Sequence, residues 1–173
     1  LHIGSFFAVI TYFRKDIYNF IKNKDLFFKI LISSLPVMMA GYLLIKFNLV
    51  EHLRNIKIIG WSTLIFGIIL YLSDKSEVKN QIESNFTIRS ALVIGFFQIL
   101  SLIPGVSRSG ITITGGRLLK FKRYDSAKIS FLLSIPTLAV VSMFGLNNLF
   151  NSESFNFSFL IVISIVFSFF FSL

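Results

Sequence analysis

Apolar residues along this chain gather into long runs separated by short polar stretches, most of them basic. A helix that crosses a bilayer needs about 20 mainly apolar residues, and several runs approach that length. The first, Leu1 to Phe13, is short, looks like the end of a longer helix, and closes on Arg14, Lys15 and Asp16. The second extends from about Leu26 to Phe47 with Pro36 inside it. The third extends from about Ile56 to Ser73, with Trp61 near one end, where an aromatic belt would lie. The polar stretch DKSEVKNQIESN leads into Phe86 to Pro104, which breaks at Pro104-Gly105 and resumes as a shorter arm from Ser107 to about Leu119. Ala127 to Leu146, with Pro136 inside, and a last run from near Phe155 complete the pattern. The pattern predicts an all-α polytopic membrane protein, with 1–173 as one integral membrane domain. Both ends fall within apolar runs, so the expectation is a chain truncated at each end. No charged region precedes the first run, so a signal peptide is not indicated.

The charges between the runs bear on topology. Arg14, Lys15, Lys22, Lys24 and Lys29 crowd one interval, and Arg117, Lys120, Lys122, Arg123 and Lys128 another. Residues 74–89 carry Lys75, Lys79 and Arg89; 46–57 carry Lys46, Arg54 and Lys57; 147–156 carry none. If each run crossed once, the two strongly basic intervals would lie on opposite sides. If 90–119 instead enters and returns, then 14–29, 74–89 and 117–128 all face the cytoplasm, as the positive-inside rule favours. The expectation is a re-entrant helix pair over about 88–119 with its tip at Pro104-Gly105. Irregular backbone at membrane depth is tolerated where protein buries it or water reaches it, so the tip should line a cavity. A faint internal similarity, ILISSLPVMMAG (30–41) against SFLLSIPTLAVV (130–141), suggests an inverted-repeat architecture.

Composition agrees. The chain is 54% hydrophobic and 14% charged, against about 45–50% and about 25% in a soluble domain. Mean hydropathy is +0.78. The net charge of +9 would suggest nucleic acid in a soluble protein, but here the bases sit between apolar runs, and no nucleic-acid partner is expected. The absence of cysteine excludes disulfides and thiolate metal sites.

Candidate chemistry concentrates in SLIPGVSRSGITITGG, residues 101–116, whose only charge is Arg108. Pro104 lacks an amide hydrogen and Gly105 permits unusual dihedrals, so the pair can end one half-helix. The arm that begins near Ser107 then presents unpaired backbone N–H groups and the positive end of a helix dipole, which attract anions. Arg108 adds a full charge and a planar fork of donors suited to phosphate oxygens. Ser107, Ser109 and Thr112 add hydroxyls, and Gly105 and Gly110 leave room for close approach. Together they read as a phosphate cradle at membrane depth. The plainer alternative for Arg108 is a buried ion pair or snorkelling, but ionisable residues inside membranes are functional by default. For Thr114, Gly115 and Gly116 the plainer reading, hydrogen bonding to the preceding turn and close helix packing, is preferred. His2 and His52 read as interfacial. Asp125, Glu153, Glu77 and Glu83 read as solvated loop residues. Arg117, Lys120, Lys122 and Arg123 read as a topogenic loop near anionic headgroups.

GFFQILSLIPGVSRSGITITGG, followed by RYDSAKISFLLSIP, resembles the second signature of the undecaprenyl-pyrophosphate phosphatase family, the bacitracin-resistance type. The matching positions are Gly95 and Gln98, then Pro104 to Thr112, then Ser130 to Pro136. LHIGSFFAVITYFRKDI is similar to the family's segment after its first signature. The resemblance implies a multi-pass enzyme of the bacterial inner membrane, with two re-entrant helix pairs and a site opening to the periplasm. It implies removal of the terminal phosphate from undecaprenyl pyrophosphate to regenerate the envelope's carrier lipid, and hence bacitracin resistance. It also implies a need for a divalent cation, Mg2+ or Ca2+. By motif position, Arg108, Ser107 and Ser109 would be catalytic, with Thr112, Gln98, Gly105 and Gly110 binding substrate. The implied partners are the polyprenyl pyrophosphate and membrane lipids, and a homodimer is left open. The family's first signature, a Glu-x-x-x-Glu segment leading to Ser-Ser-x-Gly-His, is not found in residues 1–173. It supplies the acids, histidine and proposed nucleophile, so the expectation is that 1–173 alone does not release phosphate and holds no metal ligand. From physics alone a lipid-phosphate flippase or anion transporter fits nearly as well, and a purely structural membrane subunit is the third reading.

Overall fold

The computed structural model describes residues 22–47, 55–150 and 159–172, with isolated positions 4, 7, 8, 10, 11, 14, 17 and 18. Most of the first apolar run, with His2, His52 and Glu153, lies outside the described residues. Two compact units share the chain: Leu1–Lys24 with Ser134–Leu173, and Asp25–Leu133. The principal helices are α1 (Lys24–Lys46), α2 (Ile56–Asp74), α3 (Ile82–Asn85), α4 (Ile88–Ile99), α5 (Arg108–Leu118), α6 (Arg123–Phe150) and α7 (Phe159–Ser172). A 3-10 turn, Leu100–Leu102, extends α4. Among the described residues no strand forms beyond one isolated bridge, Asn80 to Phe121.

Among the described residues, three helices are long and apolar enough to cross a membrane: Lys24–Lys46, Ile56–Asp74 and Arg123–Met143. The burial pattern of α2 is the reverse of a soluble helix. Its buried residues are Ser62 and Ser73, while Ile56, Trp61, Leu64, Ile68 and Tyr71 are exposed. A contiguous apolar exterior of this kind in water would drive aggregation; against lipid it has its solvent. The protein is an all-α membrane protein. Pro36 and Pro136 lie inside α1 and α6 without ending either helix.

α4 and α5 have 12 and 11 residues. At 1.5 Å per residue each is about 16–18 Å long, far short of a hydrocarbon core about 30 Å thick. They pack against each other, and α5 also packs on α2. α1 runs in the same direction as α4. The Ser33 hydroxyl donates to the Ala91 carbonyl, 2.5 Å, and a Cβ added at Gly41, two turns further on, would lie 3.8 Å from Leu102. Gly95 permits this approach, because any side chain there would overlap the Ser33 backbone.

The chain doubles back at Pro104-Gly105 and returns to the level of Asp74. Several hydrogen bonds join the two intervals flanking the hairpin. The Lys79 and Asn80 amides donate to the Lys120 carbonyl at 3.0 Å. The Asn80 side-chain amide donates to the Leu119 carbonyl at 2.8 Å. The Ile82 amide donates to Asp125 at 3.1 Å. Arg117 donates to the Asp74 and Ser76 carbonyls at 2.7 and 2.8 Å.

These contacts correct three expectations. Arg117 is not a headgroup-facing loop residue: it is 3% exposed, and it donates to the Phe121 carbonyl as well. Asp125 is buried rather than solvated, because its carboxylate takes the amide at the start of α3. The interval 117–128 is no open loop either. α5 runs to Leu118, Lys120 turns the chain with φ 64°, Phe121 is fully buried, and α6 begins at Arg123 rather than near Ala127. Lys120, Lys122 and Arg123 do stay exposed, and Glu77 is exposed as expected.

Candidate functional site

Ser107 is the N-cap of α5. Its backbone is extended (φ −68°, ψ 123°), and its hydroxyl oxygen accepts the Gly110 amide at 3.2 Å. An accepting hydroxyl keeps its own proton to donate. The Ser109 hydroxyl lies 3.2 Å from it, and both serines are exposed. Arg108, the first helical residue, is half-buried and is the only charged residue between Arg89 and Arg117. The helix begins here because Ser107 satisfies a first-turn amide that would otherwise have no intrahelical carbonyl.

Beneath this surface lies a buried polar layer. Thr112 is 1% exposed, and its hydroxyl lies within reach of the Arg108 carbonyl (2.9 Å), the Ser109 carbonyl (3.1 Å) and the Ser130 hydroxyl (2.7 Å). It therefore ties the first turn of α5 to α6. Gln98, in the last turn of α4, is fully buried, and neither atom of its side-chain amide has a hydrogen-bond partner. A buried unpaired amide is costly, which marks the position as one where a polar occupant is favoured.

Gly105 forms the tip with φ +94°, a left-handed conformation that disfavours any side chain. It also abuts α2 closely, since an added Cβ would overlap Ser62, Thr63 and the Ile59 carbonyl. At Gly110 an added Cβ would lie 3.2 Å from the Ser107 Cβ, so its place there is set by the capping turn. Ser107, Arg108, Ser109 and Gly110 thus sit together at the start of α5, Gly105 at the tip and Thr112 one turn behind. Gly115 and Gly116 serve packing, as their plainer reading holds: added Cβ atoms would lie 3.2 Å from Phe97 and 2.8 Å from the Ser126 hydroxyl.

Sequence reasoning missed Ser62 and Thr63. The Ser62 hydroxyl donates to the Pro104 carbonyl at 2.6 Å, and the Thr63 hydroxyl reaches the Gly105 carbonyl at 2.9 Å. The available signal was two adjacent hydroxyl residues in an otherwise apolar span, a pattern that usually means only bonding to the preceding turn.

The match with the family model described as bacitracin resistance protein BacA runs over residues 1–173, the whole chain. The chain belongs to this family. Among curated relatives, the undecaprenyl-diphosphatase of Pelagibacter ubique (strain HTCC1062) is 50% identical over 173 residues, covering 99% of this chain and 67% of the relative. Those of Dinoroseobacter shibae and Saccharophagus degradans are each 41% identical and cover 80% and 81% of this chain. The chain spans 57% of the length of each of these two. Family membership raises the question of a divalent cation. Among the described residues no group of three or more His, Cys, Asp or Glu side chains comes together to hold a metal ion.

Proposed function

We propose that this chain carries the phosphate-binding part of an undecaprenyl-diphosphatase of the bacterial inner membrane. The relatives bear that name over most of the chain's length. The observation that carries the reading is the start of α5, where the Ser107 cap, the half-buried Arg108 and the exposed Ser109 stand together at a helix N-terminus. Phosphoryl transfer depends mostly on positioning and on stabilising charge at the phosphoryl oxygens. Arg108 offers a guanidinium to neutralise that charge, and the Ser107 and Ser109 hydroxyls offer protons to its oxygens. The helix dipole adds to the same field. Thr112 holds the turn from behind, and the unpaired amide of Gln98 is suited to a polar group that enters the hairpin.

The α4–α5 pair is re-entrant on this reading. Its support is the shortness of both arms and the hydrogen bonds that hold 74–82 to 117–125, which a single crossing by 90–119 would place on opposite faces. The parallel course of α1 and α4 adds the start of α1 to the same face, in keeping with the basic intervals. The similarity of 30–41 to 130–141 fits an inverted repeat.

Arg108→Ala in the full-length protein is expected to lower phosphate release from undecaprenyl pyrophosphate by about a hundredfold to a thousandfold at unchanged expression. Arg108→Lys recovers only part, because a point charge does not replace a planar fork. Near-normal turnover in Arg108→Ala would remove Arg108 from the reaction. Thin-layer separation of the lipid products distinguishes hydrolysis from transport, which would leave the phosphate count unchanged.

A further inference from the structure

The tip of the hairpin carries the site but has little to hold it in place by itself. Pro104 and Gly105 lie outside any helix, and Gly105 is in a conformation that costs other residues free energy. Their carbonyls point away from a regular ladder, and a carbonyl without a partner at membrane depth is expensive. α2 supplies what is missing. Ser62, 7% exposed, donates to the Pro104 carbonyl at 2.6 Å, a shorter reach than the 3.1 Å to Ile59 in its own helix. Thr63 lies 2.9 Å from the Gly105 carbonyl and 2.8 Å from the Ile59 carbonyl. Each hydroxyl has one proton for two acceptors; that of Ser62 lies nearer the tip and that of Thr63 nearer Ile59, so the hold of Thr63 on the tip is the weaker of the two. The absence of a Cβ at Gly105 lets the tip backbone settle directly onto these two hydroxyls and the Ile59 carbonyl. Two residues after Gly105 comes Ser107, the cap of α5, and then Arg108.

We propose that Ser62 and Thr63 are positioning residues for the reaction: they form a seat on α2 that fixes the Pro104-Gly105 tip, and through it the place of Ser107, Arg108 and Ser109. The inference rests on the phosphate-binding reading of those three residues. The seat touches no reacting atom. It sets where the first turn of α5 stands, and a misplacement of about 1 Å at such a site can cost about a hundredfold in rate. The seat also gives a reason for the glycine at 105 beyond its dihedral angle: a side chain there would lift the tip off α2.

The test compares phosphate release by the full-length protein carrying Ser62→Ala, Thr63→Val, Thr63→Ser or the Ser62→Ala/Thr63→Val pair, with Arg108→Ala measured alongside. The double variant is expected to lose about tenfold to a hundredfold in kcat. KM for the lipid should stay within about threefold, because a remote positioning defect acts on the transition state more than on ground-state binding. Thr63→Ser, which keeps the hydroxyl, should retain turnover, and Thr63→Val, which is isosteric without it, should lose some. A merely structural role would move yield and thermal stability without that kcat and KM split and without rescue by serine. Wild-type kcat in the double variant beside an inactive Arg108→Ala overturns the seat and leaves the phosphate-binding reading intact. Full activity in Arg108→Ala overturns that reading itself. Should the double variant fail to accumulate in membranes, the single variants decide: Ser62→Ala should lose more kcat than Thr63→Val, and full kcat in both overturns the proposal.

Discussion

Arg117 and Arg108 stand nine positions apart on α5 and show how differently one residue type is used. Arg117 is sealed among the carbonyls of Asp74, Ser76 and Phe121, with its Nε 3.3 Å from the Asp74 carboxylate. Asp74 is shared with Arg123, which meets it with two hydrogen bonds of 2.8 and 2.6 Å. Removing Arg117 would orphan three carbonyls at once, and each costs about 1–3 kcal/mol when left unsatisfied in a buried setting. Arg117→Met is therefore expected to lower the thermal midpoint of the detergent-solubilised protein sharply. Arg123→Met, at an exposed pair worth about 0–1 kcal/mol, should leave it nearly unchanged. A differential scanning measurement on both variants checks this, and equal effects would contradict the burial of Arg117. None of it was legible in the sequence, where Arg117 stands in a cluster of bases that looks like any cytoplasmic loop. Its partners Asp74 and Ser76 lie 43 and 41 residues away, and only the fold brings them near.

Between helices, the glycines divide by what surrounds them. Gly95 lets α1 and α4 meet at Ser33, and its replacement by alanine must push the two helices apart. Overpacking of this kind costs about 1–3 kcal/mol. Gly60 and Gly67 on α2 have nothing within 4 Å of an added Cβ, so alanine there should be neutral or slightly stabilising. Thermal midpoints of the three alanine variants test the contrast. The helices themselves were largely readable from the sequence. Run length located α1 and α2 to within a residue or two, and Pro104-Gly105 followed by Ser107 marked the break and restart, because a missing amide, a glycine and a capping hydroxyl act through local chemistry. α6 starts four residues before the apolar run that marks it. Arg123 to Ser126 are polar and resemble loop, yet Lys120 turns the chain and a buried Phe121 anchors it, so the helix begins early. The seat at Ser62 and Thr63 was invisible for the same reason as the burial of Arg117: its acceptors are 42 residues away.

At the scale of the whole molecule, a re-entrant α4–α5 pair puts the two intervals that flank it on one side of the membrane. Val78 and Lys122 are exposed on the intervals that flank the hairpin, and Lys57 is exposed near the opposite end of α2. Single cysteines at these three positions, in a chain with no native cysteine, are expected to react with a membrane-impermeant maleimide from two directions. Val78→Cys and Lys122→Cys should label from one face and Lys57→Cys from the other. Labelling of positions 78 and 122 from opposite faces would mean that 90–119 crosses after all. The charge distribution alone had favoured the hairpin, because bias in lysine and arginine is a property of whole intervals and survives ignorance of the fold. The inverted repeat had much thinner support in one serine and one proline.

The hydrogen bonds from Arg117 to the end of α2 also impose an order on synthesis. The Asp74 carbonyl is 43 residues ahead of the arginine that satisfies it. At about 5–20 residues per second, the end of α2 waits about 2–9 s before its partner is made. During that interval α4 has been translated, too short to span and with no return arm to pack against. Until residues 105–118 follow it into the membrane, α4 lacks the arm it packs against, and the Asp74 and Ser76 carbonyls lack Arg117.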